Sequence, residues 1–166
     1  MSNYWSRQKK YWLVRLKKLR GSPNSIAIGF ACGVGVSFTP FVGAHLVLAM
    51  FFAWCLRGNI IAAALGTAFG NPWTFPFIWL SVLYTGKKLL GEGFDGIVDV
   101  DFKSLFSKAF EALINFDFED FLFDIWPIFY PMIIGAVPYM IIFGMLTYLL
   151  VKNVLVRSKH ALKSEI

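Results

Sequence analysis

The chain has 166 residues, 57% of them hydrophobic, 18% aromatic and 16% charged, and a net charge of +6. A soluble domain usually carries roughly 25% charged residues; here the shortfall is gathered into three runs free of Asp, Glu, Lys and Arg, at 21–56, 58–86 and 125–151. Such a length holds one domain, and apolar runs of that extent exclude an ordinary soluble core, so the basic excess points to a membrane surface and not to nucleic acid.

The expected fold class is all-α: a polytopic integral membrane protein with proline-broken or re-entrant helices and interfacial amphipathic helices. Five segments are expected. A basic amphipathic cytoplasmic segment covers 1–22, and a membrane core with two broken helical segments covers 23–91. An acidic loop and interfacial helix follow over 92–124, then a final transmembrane helix over 125–151 and a basic cytoplasmic tail over 152–166. Tyr4–Arg20 reads as the first amphipathic helix. Trp5, Trp12, Leu16 and Leu19 share helical spacing, and Arg7, Lys9, Lys10, Arg15, Lys17 and Lys18 take the remainder, the pattern of a helix lying among headgroups. Residues 1–20 hold seven Lys/Arg and no acid, and 152–166 hold four against one acid. The positive-inside rule therefore puts both termini in the cytoplasm. The opening is too charged, and the run behind it too long, for a cleaved signal peptide.

Gly21-Ser22-Pro23-Asn24-Ser25 reads as a turn into the membrane. Beyond it a glycine-rich half (Gly29, Gly33, Gly35) leads to Thr39-Pro40, read as cap and first helical position of a longer helix ending near Leu56. The run is short for two crossings of about 20 residues each. A re-entrant hairpin is favoured, entering and leaving on the cytoplasmic side, with Arg57-Gly58-Asn59 as its exit; two short, tilted crossings are the alternative. Its small-residue face at Gly29–Gly33 predicts a homodimer.

The central run turns on Gly70-Asn71-Pro72-Trp73-Thr74-Phe75-Pro76. Asn and two prolines at membrane depth need cover from protein or a wet cavity. A broken helix is expected, with a short half from Ile60 to Phe69 and a longer one from Pro72 to Leu90. Asn71 is its N-cap, Pro72 its first position and Gly91 its stop. This segment would cross outward. Thr39-Pro40 and Asn71-Pro72 stand 32 residues apart, and at that offset Leu48 aligns with Leu80 and Phe52 with Tyr84. Two broken segments in corresponding positions point to a transporter-like site at the midplane. Prolines and glycines that only shape tight helix packing would leave the same pattern, and both readings stand here.

Between Lys87 and Asp124 the balance reverses, with four Lys against nine Asp/Glu. Glu92, Asp95, Asp99 and Asp101 make a solvated loop with no EF-hand pattern. Phe102, Leu105, Phe106, Ala109, Phe110, Leu113 and Ile114 then fall at amphipathic spacing, and Phe116, Phe118 and Phe121 alternate with acids along the interface. Ile125–Val151 is the last crossing, its Pro127, Pro131 and Pro138 implying neighbouring helices around freed carbonyls.

Few polar side chains interrupt the apolar runs. His45 is the ionisable group well inside, a candidate to carry a proton or bind a headgroup. Arg57 is read as positive-inside charge or as a phosphate ligand at the interface. Thr39, Asn71 and Thr74 are caps whose helix ends would face an anion if they faced each other. The cysteines, Cys32 and Cys55, lie in separate runs without CxxC or metal spacing, so no metal and no cofactor is expected. No nucleophile–base pair falls inside the membrane, and the chain reads as a non-enzyme.

Taken in order, Pro40-x-x-Gly43-x-His45, Arg57-x-Asn59, Gly66-Thr67, Asn71-Pro72-x-Thr74 and Tyr84-x-Gly86 resemble the bacterial inner-membrane family called domain of unknown function 2062. The resemblance runs from about Pro23 to Gly91 and loosely to the last helix. It implies a multi-pass protein of the bacterial inner membrane. Because some members are joined to glycosyltransferase domains, it also implies a link to envelope polysaccharide or lipid-linked sugars. The expected function is transport or flipping of a small or lipid-linked anionic envelope molecule. Substrate-binding candidates are Thr39, Pro40, Gly43, His45, Arg57, Asn59, Asn71, Pro72 and Thr74. A non-transporting scaffold for envelope polysaccharide or lipid synthesis is the alternative. Expected partners are membrane lipids, a lipid-linked or phosphate-bearing substrate, and either a second copy or an envelope-synthesis enzyme.

Overall fold

The computed structural model of the chain describes residues 21–41, 43–93, 101–115 and 125–163. Among the described residues the structure is all helical: α1 (Pro23–Val36), α2 (His45–Cys55), α3 (Ile60–Gly66) with a 3₁₀ turn over Thr67–Phe69, α4 (Phe75–Leu90), α5 (Phe102–Asn115) and α6 (Trp126–Lys163). The N-terminal amphipathic helix expected over Tyr4–Arg20 and the Phe116–Phe121 alternation lie outside the described residues.

α1 starts earlier than its turn-like opening suggests. Ser22 accepts the N–H of Ser25 at 3.1 Å and Pro23 takes the first position, so Ser-Pro here is a cap and a start. α1 and α2 then fold back on each other. Their open ends meet: Asn59 N–H donates to the Ser25 carbonyl at 2.8 Å and Ser25 Oγ to the Arg57 carbonyl at 3.3 Å. Both ends of the hairpin therefore lie at one end of the molecule, the base, and its tip at 37–41 and 43–44 lies about 21 Å away, the length of the 14-residue α1 at helical rise.

α3 runs parallel to α1 in close contact. A Cβ on Gly29 would strike Asn59 and Ala62, and one on Gly33 would strike Ala63 and Gly66. The Gly29–Gly33 face is thus consumed inside the chain and is not free for a second copy, a correction to the expected dimer surface. Glycine pairs signal that a backbone comes close; which backbone is decided by tertiary structure.

The broken central helix continues in the same direction through its break. α4 ends at Gly91, left-handed at φ 72°, with the Glu92 N–H returning to the Lys87 carbonyl at 2.9 Å, as the stop signal requires. α6 runs antiparallel to both α1 and α4. Asn24 pairs with Tyr148, and Gly35 comes against Met140. Higher up, Gly86 meets Pro131, and Gly135 meets Val82 and Gly86. The core sits where α1, α4 and α6 meet, around Val34, Phe38, Ile78, Val82, Leu83, Met132 and Ala136. α6 carries on past the apolar run through the basic residues to Lys163.

Outside that core, large apolar side chains face outward: Trp73 is 86% exposed, Phe77 75% and Trp54 66%. α6 is the one described helix long and apolar enough to cross a membrane, with 11% of its most apolar window buried. A soluble core helix of that length would be mostly covered.

Candidate functional site

The break between α3 and α4 is built by Asn71 and Thr74. Asn71 Oδ1 accepts the N–H groups of Trp73 at 3.0 Å and Thr74 at 3.2 Å. Thr74 Oγ1 in return accepts the Asn71 N–H at 3.0 Å and donates to the Phe69 carbonyl at 2.8 Å. The pair is a reciprocal box in which each side chain closes the other's backbone. Pro72 has no N–H to satisfy. The regular helix begins at Phe75, after one turn of this box, so Asn71 caps the segment as expected while the helix proper starts later than Pro72.

Thr39 plays a different part from the one expected. Its Oγ1 donates to the Val36 carbonyl at 2.8 Å and its N–H to the same atom at 2.9 Å, so it finishes α1 instead of starting α2. Pro40 is buried behind it. Gly43 adopts φ 84° with open space around it, a conformation that ends any helix begun at Pro40. α2 accordingly starts at His45 behind Ala44, which makes no side-chain cap. Two facing caps around an anion are therefore not formed; only the box at Asn71 and Thr74 caps a helix here.

The hairpin tip does meet the break. The ring of His45 stands edge-on to Phe75 at 6.0 Å, and a Cβ on Gly70 would touch both Phe75 and Ser37. His45 Nδ1 is buried without a hydrogen-bond partner among the described residues. Beside this junction lies a cleft of about 260 Å³ lined by Phe38, Phe69, Thr74, Phe77, Ile78, Ser81, Tyr139 and Phe143. Its polar atoms are committed elsewhere: Ser81 Oγ donates to the Phe77 carbonyl at 2.7 Å, and the Tyr139 hydroxyl bonds Thr85 Oγ1 at 3.1 Å. Five aromatic rings make up most of its wall. Sequence reading missed this cleft, since its residues come from four elements and only the Phe38-Thr39-Pro40 neighbourhood hinted at it.

The other candidates lie at the base. Arg57 is exposed and holds the left-handed conformation, φ 56°, that closes α2: its N–H reaches the Trp54 carbonyl at 3.1 Å and the Gly58 N–H reaches that of Ala53 at 2.6 Å. This is the helix stop that glycine usually supplies. Asn59 caps α3 by accepting the Ala62 N–H at 2.8 Å. So Thr39, Pro40, Gly43, His45, Asn71, Pro72 and Thr74 gather at one level, and Arg57 and Asn59 at another. Near the base, on α6, Lys152 Nζ donates to Tyr148 at 2.8 Å and Tyr148 to Asn24 at 2.6 Å. Among the described residues no group of His, Cys, Asp and Glu could hold a metal ion.

Residues 6–163 match the family described as "Uncharacterized protein conserved in bacteria (DUF2062)". The chain belongs to this family. The match takes in the hairpin, the broken helix and α6, so the family's extent reaches well beyond the Pro23–Gly91 stretch that carries the motifs. No curated protein and no solved structure matches the chain. Membership in DUF2062 makes the protein bacterial and brings no activity with it.

Proposed function

We propose that the chain is a polytopic protein of the bacterial inner membrane, both termini cytoplasmic, that transports or flips a lipid-linked anionic envelope molecule without catalysing a covalent step. One observation carries the reading. The hairpin tip and the break meet beside Tyr139, which stands midway along α6 between Trp126 and Lys152, about 20 Å from each at helical rise. A bilayer spans roughly 40–45 Å with its headgroups. Aromatic and basic residues that far apart fit its two faces, and the junction then falls at the midplane. Irregular backbone at that depth persists where protein buries it or where it lines a cavity, and a pair of interrupted segments there is a pointer to a substrate path. Arg57, exposed at the basal rim, supplies the charge for a phosphate, and its strained backbone fits a residue kept for function.

A second reading has support of its own. The polar groups of the break satisfy one another, which suits a packing device, and α2 presents a broad apolar face through Val47, Phe51 and Trp54. That arrangement suits a scaffold that holds an envelope-synthesis enzyme. Reconstitution separates the two. In vesicles carrying a fluorescent anionic lipid, the wild-type protein should speed the loss of inner-leaflet fluorescence to an impermeant quencher. Arg57→Gln should slow it several-fold with unchanged thermal stability. No acceleration by the wild-type protein would remove transport and leave the scaffold.

A further inference from the structure

The cleft beside the break is poorly suited to an anion, because each polar atom lining it already has a partner in the chain and the rest is aromatic. It suits hydrocarbon. The same face of α6 continues toward the base. Eighteen residues are five helical turns, so Tyr139 and Arg157 lie on one line, with Phe143, Leu146, Leu150 and Val154 along it. Leu146, Leu150 and Val154 are exposed, at 49%, 65% and 46%, and Arg157 is exposed at the foot. α6 contains no Asp or Glu to neutralise that guanidinium. The drop from Phe143 to Arg157 is about 21 Å. One leaflet with its headgroup layer is about 20–22 Å deep.

We infer that this strip holds one anionic lipid of the cytoplasmic leaflet, its headgroup phosphate on Arg157 and the end of a hydrocarbon tail in the cleft between Phe38, Phe69, Phe77, Tyr139 and Phe143. The inference rests on the membrane reading above and not on transport. Phe38 comes from the hairpin, Phe69 and Thr74 from the break, Phe77 and Ser81 from α4, and Tyr139 and Phe143 from α6. A tail seated there touches all four of these parts. Arg157 adds charge–charge attraction and bidentate hydrogen bonding to a phosphate, which a neutral or zwitterionic headgroup would repay less well.

The test places photoreactive benzoylphenylalanine at position 69 or 77, and at Ile141 as a control. Ile141 is 63% exposed, at the depth of the cleft but on the opposite face of α6. The protein is reconstituted in vesicles of phosphatidylethanolamine and phosphatidylglycerol, irradiated, and the captured lipid identified by mass spectrometry. Phosphatidylglycerol should be enriched several-fold at 69 and 77 over 141. Arg157→Gln should abolish the enrichment, and Ser81→Phe, which fills the cleft, should reduce capture of any lipid at 69. The same lipid ratio at all three positions would overturn the inference while leaving the membrane reading intact. Capture of a polypeptide at 69 and 77 would overturn it in favour of a protein partner. No lipid at any position would remove the membrane reading and the inference together. A second measurement needs no photoreactive residue: phosphatidylglycerol retained through purification by the wild-type chain should be lost with Arg157→Gln, and equal retention would count against the site.

Discussion

Asn71 and Thr74 close on each other, and this changes what each is expected to do. A cap that only holds its own helix gives a simple loss when removed, about 1 kcal/mol for an N-cap side chain. Here each side chain also serves the other's backbone. Asn71→Ala should cost about 1–2 kcal/mol and Thr74→Ala a similar amount, while the double variant should fall short of their sum by about 1 kcal/mol. Thermal unfolding in detergent measures all three. Additive losses would mean that the box is two separate caps. Arg57 shows the opposite economy: a residue type that favours right-handed backbone sits at φ 56°, where glycine would be strain-free. Among the described residues nothing holds the exposed guanidinium, which is why Arg57→Gln is a clean probe of charge.

At the level of elements, two of the helix crossings are built on glycine. α1 lies on α3 through Gly29 and Gly33, and α4 lies on α6 through Gly86 and Gly135. The atoms that a new methyl would strike are mostly backbone, which moves only with its helix. Gly86→Ala and Gly135→Ala should each destabilise by about 1–3 kcal/mol or separate α4 from α6. Gly144→Ala meets one carbonyl, that of Ala31, at 3.5 Å and should be close to neutral. Equal effects at all three positions would show that helix propensity, and not the crossing, is being measured. Much of this was readable in advance. Asn71 as a cap, the short half Ile60–Phe69, the end of the longer half at Leu90 and the stop at Gly91 follow from local chemistry, whereas the regular helix starts at Phe75 and not at Pro72. The true start of α2 was not legible, because Gly43 can adopt a positive φ without announcing it, and Thr39-Pro40 offers the same cap-and-start pattern as Asn71-Pro72. Ser22-Pro23 carried that pattern too, hidden in a stretch whose Ser, Asn and Gly content reads as a turn. The two segments share the order helix, break, helix, but Thr39-Pro40 ends a helix where Asn71-Pro72 begins one, so the cap-and-start correspondence behind the expected repeat is not formed. The two segments also differ in direction, since the first folds back and the second runs on. The cleft was invisible for a related reason: its aromatic residues sit in apolar runs where an aromatic is unremarkable until four elements converge.

For the whole molecule, the arrangement of hairpin and broken helix makes a prediction about depth. If the hairpin were two short crossings, its tip would emerge on the far side of the membrane. With the tip beside Tyr139, halfway along the apolar part of α6, it should stop at the midplane. Single cysteines in a Cys32→Ala, Cys55→Ala background decide between these. Leu56→Cys, 59% exposed at the base, should react with a membrane-impermeant thiol reagent from the cytoplasmic side alone. Glu92→Cys, just past the αL stop at Gly91, should react from the outside alone. Gly43→Cys is the deciding position, because the space around it is open; a cysteine is strained at φ 84°, so its labelling is read in protein that keeps the wild-type melting temperature, where depth decides protection. Protection from the outer side, with Leu56 and Glu92 labelled as expected, makes α1–α2 re-entrant. Labelling of Gly43 from outside would turn the hairpin into two thin crossings and move the break off the midplane. Trp73→Cys adds the environment of the break: at 86% exposure it is sterically free, so silence toward an aqueous reagent from both sides means that it faces lipid. Reaction there would instead reveal a wet path beside the Asn71–Thr74 box, which is what transport of a charged headgroup past that point requires.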